Sequence, residues 1–467
     1  MSFEGVLIDK LNGGLGRTSS AADRVIALVY GMDVTDTKSD IANYKVKSFF
    51  SITEVEAAGI VNDTTHPTIT TGTGSSAVIT TTTKVGITAP LWYHFDEMFR
   101  LAPGQKFYLI TVPQTITVNS KTSPYTVDQI LANPDFINAV RGIDDINVLG
   151  FANISDLTVQ KIALHNEDLL DAQGNVVIDK TTNLKETVSV CYASKFQAFV
   201  KAFSDEHLLI DGIFLEGKSE TTTFDFTADA NNLRQSLVAA PNVSVVIAQD
   251  PAMTDFGTPA AVGTVLGSVA IRKVHEDLGS VDIEDKPSSR KGEENYTLTD
   301  SATGRWSNAQ LSDGTLFITL PVSEQAAIST NGYIYVGSFK NYGGFFLSGC
   351  PTAVESTSDY SFFNFNCVWD KAARLVRTTL IPRVRSNVPV EASTGYIKST
   401  TISYWEGLIS KQLETMVAAG NISAFDVYIN PAQAPDEKNP LVIKTRLVTN
   451  RIVHEFEVEL GLTTKLD

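Results

Sequence analysis

Cysteine is scarce in this chain: Cys191, Cys350 and Cys367 are the only three, and no two form a Cys-x-x-Cys pair. An odd, widely spaced set argues against a disulfide framework and fits a reducing compartment. It also argues against structural zinc, because closed zinc sites need four nitrogen or sulfur ligands, typically in closely spaced pairs. Histidine is nearly as sparse. None of His66, His94, His165, His207, His275 and His454 pairs at i,i+4, and neither a His-Glu-x-x-His run nor a Gly-x-Ser-x-Gly elbow occurs. The acidic spots Asp144-Asp145 and Asp282–Asp285 do not match an EF-hand loop and read as solvated loop charge. Basic charge is in deficit. The formal net charge is -16, which argues against a nucleic-acid binder and leaves either a simply soluble surface or a basic partner. No apolar run approaches the ~18 residues needed to span a bilayer. Met1-Ser2-Phe3-Glu4-Gly5 has neither a basic segment nor an apolar one after it, so no signal peptide is expected. These absences leave no catalytic, cofactor-binding or metal-ligating residue to nominate.

What is present is ample material for a core: 467 residues, 43% of them hydrophobic, enough for two or three domains. Residues 90–280 alternate between helical and apolar stretches. Helices are predicted over 91–101, 127–141, 193–205, 231–237 and 259–275, and strands over 106–112, 146–151, 208–215 and 243–248. Apolar strands separated by helices imply a mostly parallel sheet covered on both faces. The Thr-rich stretch 63–88 reads as a β-hairpin around Gly72-Thr73-Gly74, with a polar linker as the alternative. Residues 151–190, with the turn Asp171–Asn175, read as a β insertion. Further strands are expected at 315–320 and 332–337. After them come helices at 366–381 and 403–419 and strands at 424–429, 441–448 and 452–460. Trp405, Leu408, Ile409, Met416 and Val417 share one helical face, and Gly420 is placed to cap that helix. An α/β sheet can host a ligand at its strand C-termini, but fold alone supplies no site.

Three local features stand out. The segment 2–10, with apolar Phe3, Val6 and Ile8, is followed by Gly13, Gly14 and Gly16. That glycine turn fits neither a dinucleotide fingerprint nor a phosphate loop and reads as a flexible joint. Lys371, Arg374, Arg377, Arg383 and Arg385 reverse the chain's acidic balance along one helix and just beyond it. They are either a solvated face or a contact with an acidic surface outside their own domain. Near the other end of the sequence, Ile452, Phe456, Val458 and Leu460 alternate with Glu455, Glu457 and Glu459. Such a strand completes its own sheet or adds to a neighbour's open edge, and its carboxylate row could meet the basic helix of another copy.

The opening, SFEGVLIDKLNGG followed by RVIALVYGM and SFFSITEVEAAGI, resembles the start of contractile-tail sheath proteins of myophages and related injection systems. So does the later order of basic helix (WDKAARLVRTTLIPRVR), amphipathic helix (SYWEGLISKQLETMVAAGNI), strands and terminal arm. The resemblance implies an α/β chain, α+β overall. An outer domain at 23–355 would hold a mostly parallel sheet flanked by helices, with insertions at about 60–90 and 151–190. An inner, tube-proximal α+β domain at 356–467 would be built with an N-terminal arm at 1–22 and would end in a strand arm at about 451–462. It implies arms that insert as strands into neighbouring subunits, no enzyme activity and no cofactor. The implied partners are other copies, a tail tube protein, and baseplate and terminator proteins, with neither nucleic acid nor membrane insertion. The implied place is the virion tail, assembled in the bacterial cytoplasm. Another structural tail component and an α/β small-molecule binder are the competing readings.

Overall fold

The structure is a computed structural model that describes residues 24–33, 41–63, 68–71, 78–81, 88–118, 121–168, 177–178, 185–219, 224–252, 260–283, 295–436, 438–458, 460 and 462. The chain divides into two compact units, one of residues 1–272 and 278–366, the other of 273–277 and 367–467.

The first unit is mixed α/β and is built on a seven-stranded sheet. Its strands are β1 (Ile26–Gly31), β2 (Val46–Phe49), β3 (Phe107–Val112), β4 (Val148–Ala152), β5 (Gly212–Glu216), β6 (Val243–Val246) and β7 (Tyr333–Ile334). The spatial order is β7-β6-β5-β4-β1-β3-β2, parallel throughout except where β2 pairs antiparallel with β3. The central strand reads IALVYG and is buried at every position, as a parallel strand covered on both faces must be. Helices α1 (Ala89–Leu101), α2 (Pro134–Arg141), α3 (Tyr192–Asp205) and α4 (Val262–Ile271) pack around the sheet. Phe136, Phe151, Phe196 and Phe199 form an aromatic run that joins β4 to α2 and α3, with ring centroids 4.8–6.1 Å apart.

Where expectation and structure part, local hydrogen bonding explains the difference. The single helix predicted over 127–141 is two, Val127–Leu131 and α2. Pro134 has no N–H to continue the first, and Asn133 Oδ1 caps the second by accepting from Asp135 N and Phe136 N. The strand expected at 315–320 is a 3₁₀ turn, Phe317–Thr319, in which Thr319 returns both its N–H and its hydroxyl to Leu316 O. The helix expected at 231–237 is only the 3₁₀ turn Asp229–Asn231. Asn232 accepts from Arg234 N and Asn231 donates to Asp225 O, so side chains displace helical bonds. The Thr-rich hairpin is present, pairing Thr68–Thr71 with Val78–Thr81. Within 151–190, His165–Asp168 pairs antiparallel with Thr187–Val190, while the turn 171–175 lies outside the described residues.

The second unit holds most of helix α5 (Phe363–Leu380), helix α6 (Ser399–Ala418) and an antiparallel pair, β8 (Ile422–Ile429) and β9 (Ile443–Thr449). Its core is Ile402, Trp405, Ile409, Leu413 and Met416 on α6, with Ile422 and Ile429. The expected face is thus corrected at one edge: Val417 is exposed, and Ile402 and Leu413 complete the stripe. Gly420 caps α6 at φ 72°, with Asn421 N donating to Met416 O and Gly420 N to Val417 O.

Helix α4 reads VGTVLGSVAI, and its small residues let it approach α1 backbone to backbone. A Cβ at Gly263 would stand 2.5 Å from His94 O, an atom that cannot swing away. Gly263→Val is expected to cost about 2 kcal/mol or more and to lower Tm measurably in thermal denaturation. Gly407→Ala, on α6 with nothing within 4 Å, is the control and is expected to gain roughly 0.5–1 kcal/mol.

Candidate functional site

Ligands of open α/β sheets bind beyond the C-terminal ends of the strands. At the ends of β1, β4 and β5 the protein occupies that region with its own polar groups. Asn153 Nδ2 donates to Gly31 O at 2.9 Å, Asn153 N donates to Glu216 Oε2 at 2.7 Å, and Gln114 Nε2 donates to Asn153 O at 2.9 Å. Glu216 is fully enclosed, and desolvation pushes its carboxyl up to about 7. Burial likewise raises the Tyr30 phenol beside it. Residues Gly212–Ser219 match the spacing of a phosphate loop, Gly-x-x-x-x-Gly-Lys-Ser, a signal the sequence reading passed over. The structure puts the first five of them in β5, and Gly217 N donates to Val246 O, so no loop of free N–H groups surrounds a phosphate there.

A second buried polar cluster joins α1 and α4 to the 300–306 loop. Glu97 receives two hydrogen bonds from Arg100, one from Thr264 Oγ1 and one from Trp306 Nε1, all at 2.8–3.0 Å. Burial would push the Glu97 carboxyl up, but these donors together with Arg305 outweigh it and hold it below the usual carboxylate range. Asp250 accepts from Tyr93 Oη at 2.9 Å and Trp306 N at 3.0 Å. Every one of these acceptors is paired to protein, which makes the cluster a clamp. Among the described residues no group of three or more His, Cys, Asp and Glu could hold a metal ion, and no helix is long and apolar enough to cross a membrane.

The second unit is organised differently. β8 and β9 pair from Ile422↔Thr449 to Ile429↔Ile443, and helix α6 packs against β8. Phe425 and Val427 on β8 and Ile443, Thr445 and Leu447 on β9 are half-buried, while Asp426, Tyr428, Lys444 and Arg446 alternate with them and are exposed. Between residues 423 and 428, and along all of β9, no backbone group bonds outside the hairpin among the described residues. A two-stranded sheet in that condition has two open edges.

Among the described residues of 452–460 the expected strand does not form. Residues 451–458 carry no ladder, and Phe456, Val458 and Leu460 are 83%, 78% and 93% exposed. The residues alternate in the sequence, but a strand exists only where a ladder partner exists, and among the described residues no partner strand pairs with this segment. Ile452 is half-buried, and Glu455 and Glu457 are exposed. On α5 and just after it, Lys371 and Arg374 are half-buried, and Arg377 and Arg385 are exposed. Arg383 Nη2 donates to Tyr404 Oη of α6 at 3.3 Å. Phe3, Val6, Ile8, Gly13, Gly14, Gly16 and Glu459 lie outside the described residues.

Two sequence profiles of one family cover nearly all of this: DUF2586, N-terminal domain, over residues 3–350, and DUF2586, C-terminal domain, over 359–467. The chain belongs to the DUF2586 family. Solved structures extend the comparison to the fold. A chain in the cryo-EM structure of the anti-feeding prophage baseplate is 11% identical, covers 99% of this chain and 100% of its own length, and superposes with a TM-score of 0.53. A chain in the sheath complex of the PVC extracellular contractile injection system, in the contracted state, is 13% identical over 99% and 98%, with a TM-score of 0.52. No curated protein matches the chain. The family member therefore has the fold of contractile-tail sheath proteins, as its opening and later segments led one to expect.

The buried Glu216 gives a pH dependence whose sign follows from its raised pKa. Its stabilising contribution is complete below the unfolded-state value near 4.5 and is lost as pH rises through about 7, a loss on the order of 3 kcal/mol. Lys218 and Tyr30 are the groups coupled to it. Glu216→Gln keeps the acceptor for Asn153 N and cannot ionise. The variant is expected to match the parent in Tm at pH 4 and to exceed it at pH 8. Equal melting curves at both pH values would exclude a buried neutral carboxyl.

Proposed function

We propose that this chain is a non-enzymatic sheath subunit that polymerises into a helical sheath around a tail tube and shortens to drive the tube through a cell envelope. One observation carries the reading: within one chain, a two-stranded sheet with two open edges coexists with an exposed segment whose apolar and acidic residues alternate. Each is half of a β-sheet contact, and a second copy supplies the other half. The sheath fold supports it.

In this reading residues 451–462 and the segment 1–22, with Phe3, Val6 and Ile8, are arms that add to neighbouring subunits. Gly13, Gly14 and Gly16 absorb the change of angle when subunits rotate. Residues 23–355 form the outer domain, and 356–467 with the N-terminal arm form the inner domain that faces the tube. The work comes from the difference between two packings of the same sequence, with no bound nucleotide. Partners are other copies, the tube, and baseplate and terminator proteins. The place of action is the tail of a virion or injection particle, assembled in the cytoplasm. The basic residues of α5 and its extension meet an acidic surface of the tube or of another copy. Single exposed pairs give only ~0.2–1 kcal/mol, so each breaks readily while the sum over many subunits holds.

Removing residues 452–467 is expected to leave both units folded, with an unchanged circular dichroism spectrum and Tm, and to abolish helical tubes or stacked rings in negative-stain micrographs. Normal polymerisation of the truncated chain would end the arm reading. Reversing Arg377 and Arg385 to Glu is expected to weaken assembly at 0.1 M salt without changing the monomer's Tm. The parent assembly should loosen similarly at 1 M, where the Debye length is ~3 Å. A monomer that unfolds on reversal would place those guanidinium groups in contacts of their own unit.

A further inference from the structure

The hairpin of the second unit offers two edges, and they are not equivalent. β8 carries a register irregularity between Ile422 and Ala424, and a bulge of that kind twists an edge away from an incoming strand. β9 is regular from Ile443 to Thr449. The exposed faces also differ in charge. On β8 it presents Ala424, Asp426 and Tyr428, and on β9 Lys444 and Arg446, flanked by Val442 and Val448. Neither Lys444 nor Arg446 makes an ion pair among the described residues, although Arg446 stands opposite Asp426 in the ladder.

The terminal segment carries the complement. Glu455 and Glu457 are exposed and two residues apart, the spacing of Lys444 and Arg446, and Glu459 continues the row in the sequence. Their alternates Phe456, Val458 and Leu460 are almost wholly in water. We infer that the outer edge of β9, not that of β8, receives the terminal segment of a second copy, with its glutamate row beside Lys444 and Arg446. This rests on the strand-addition reading above and specifies which edge and which side chains choose it.

Both faces of the segment are satisfied at once in this arrangement. Placing the glutamates on the exposed side puts Phe456, Val458 and Leu460 on the other, where they extend the half-buried row of Ile443, Thr445 and Leu447, of which Ile443 packs against the cluster of Ile402, Trp405 and Ile429. A one-residue slip would turn the glutamates into the apolar side and the phenylalanine into water. A slip by two keeps the face; it loses a charge pair in one direction and in the other exchanges Glu455 for Glu459. Beside β8 the same row would meet Asp426, a like charge directly opposite. The glutamate row therefore finds its partners on β9 rather than on the basic end of α5, where the sequence alone had placed them.

Charge reversal in full-length protein tests the edge. Lys444→Glu with Arg446→Glu is expected to raise the critical concentration for assembly about tenfold at 0.1 M salt. Glu455→Lys with Glu457→Lys is expected to do the same, and the fourfold variant to return to within about threefold of the parent. An Asp426→Lys variant should assemble as the parent does. The truncation at residue 451 runs alongside. If truncation abolishes assembly while reversal on β9 is silent, or if reversal is not rescued by the fourfold variant, the arm still acts but its site is elsewhere and this inference falls. If truncation itself is silent, the strand-addition reading falls with it. Circular dichroism and Tm of each variant separate loss of folding from loss of assembly. A β9 variant that fails to fold is replaced by Lys444→Gln with Arg446→Gln, for which a salt-independent critical concentration is the expected result and an unchanged salt dependence the contrary one.

Discussion

A β-strand leaves N–H and C=O groups along both sides, and something must pair with them. The two units meet this demand in opposite ways. In the first, five strands of the sheet are interior, and each has a neighbour on either side. In the second, two strands have only each other, and their far sides stay open among the described residues. A ladder that is complete specifies a stable body. A ladder that stops after two strands specifies an acceptor. The division of labour proposed for this chain follows from where pairing is finished and where it is not.

The buried polar groups of the first unit fit that division. Glu97 is tied to Arg100, Thr264 and Trp306, residues up to 209 positions away in sequence. Removing one partner from such a cluster leaves a desolvated charge, so the cluster resists partial opening. The contacts proposed between copies at the second unit are the reverse: exposed, screened by salt, individually weak. In the proposed sheath a body that rotates as a whole gains from a rigid interior, and the contacts it exchanges during rotation must be the breakable ones. Those two requirements cannot be met by one kind of interaction.

Much of this was legible in the sequence, and the limits are physical. Helices over 91–101, 193–205 and the region of α6 declared themselves by periodicity, because one face of each packs on a core. The parallel sheet declared itself through buried runs such as IALVYG. Asn133-Pro134 carried the break that splits the helix predicted at 127–141, and only the capping geometry of Asn133 made its effect plain. The Glu97 and Asp250 cluster could not be read, since its members come from four separated segments. A signal for Glu216 did exist: a lone carboxylate inside the apolar strand GIFLE. The phosphate-loop spacing around it shows the opposite hazard, a pattern without its structural context.

The terminal segment is the instructive case. Its alternation was unmistakable, yet the single chain gives it no strand. Periodicity reports which face a segment is built to bury, not which molecule buries it. Backbone ladders, moreover, are nearly indifferent to side-chain identity, so a strand seeking an edge can pair with any edge of the right length. Selectivity then has to come from the side chains that flank the ladder. For this segment the choices are a regular edge with two cations and a bulged edge with an aspartate. An acidic, alternating strand distinguishes them by repulsion as much as by attraction, since the like charge beside β8 penalises the wrong site whether or not the right one is free. In the proposed polymer that discrimination is needed at every joint, and two weak charge pairs per joint would supply it while leaving the joint free to turn.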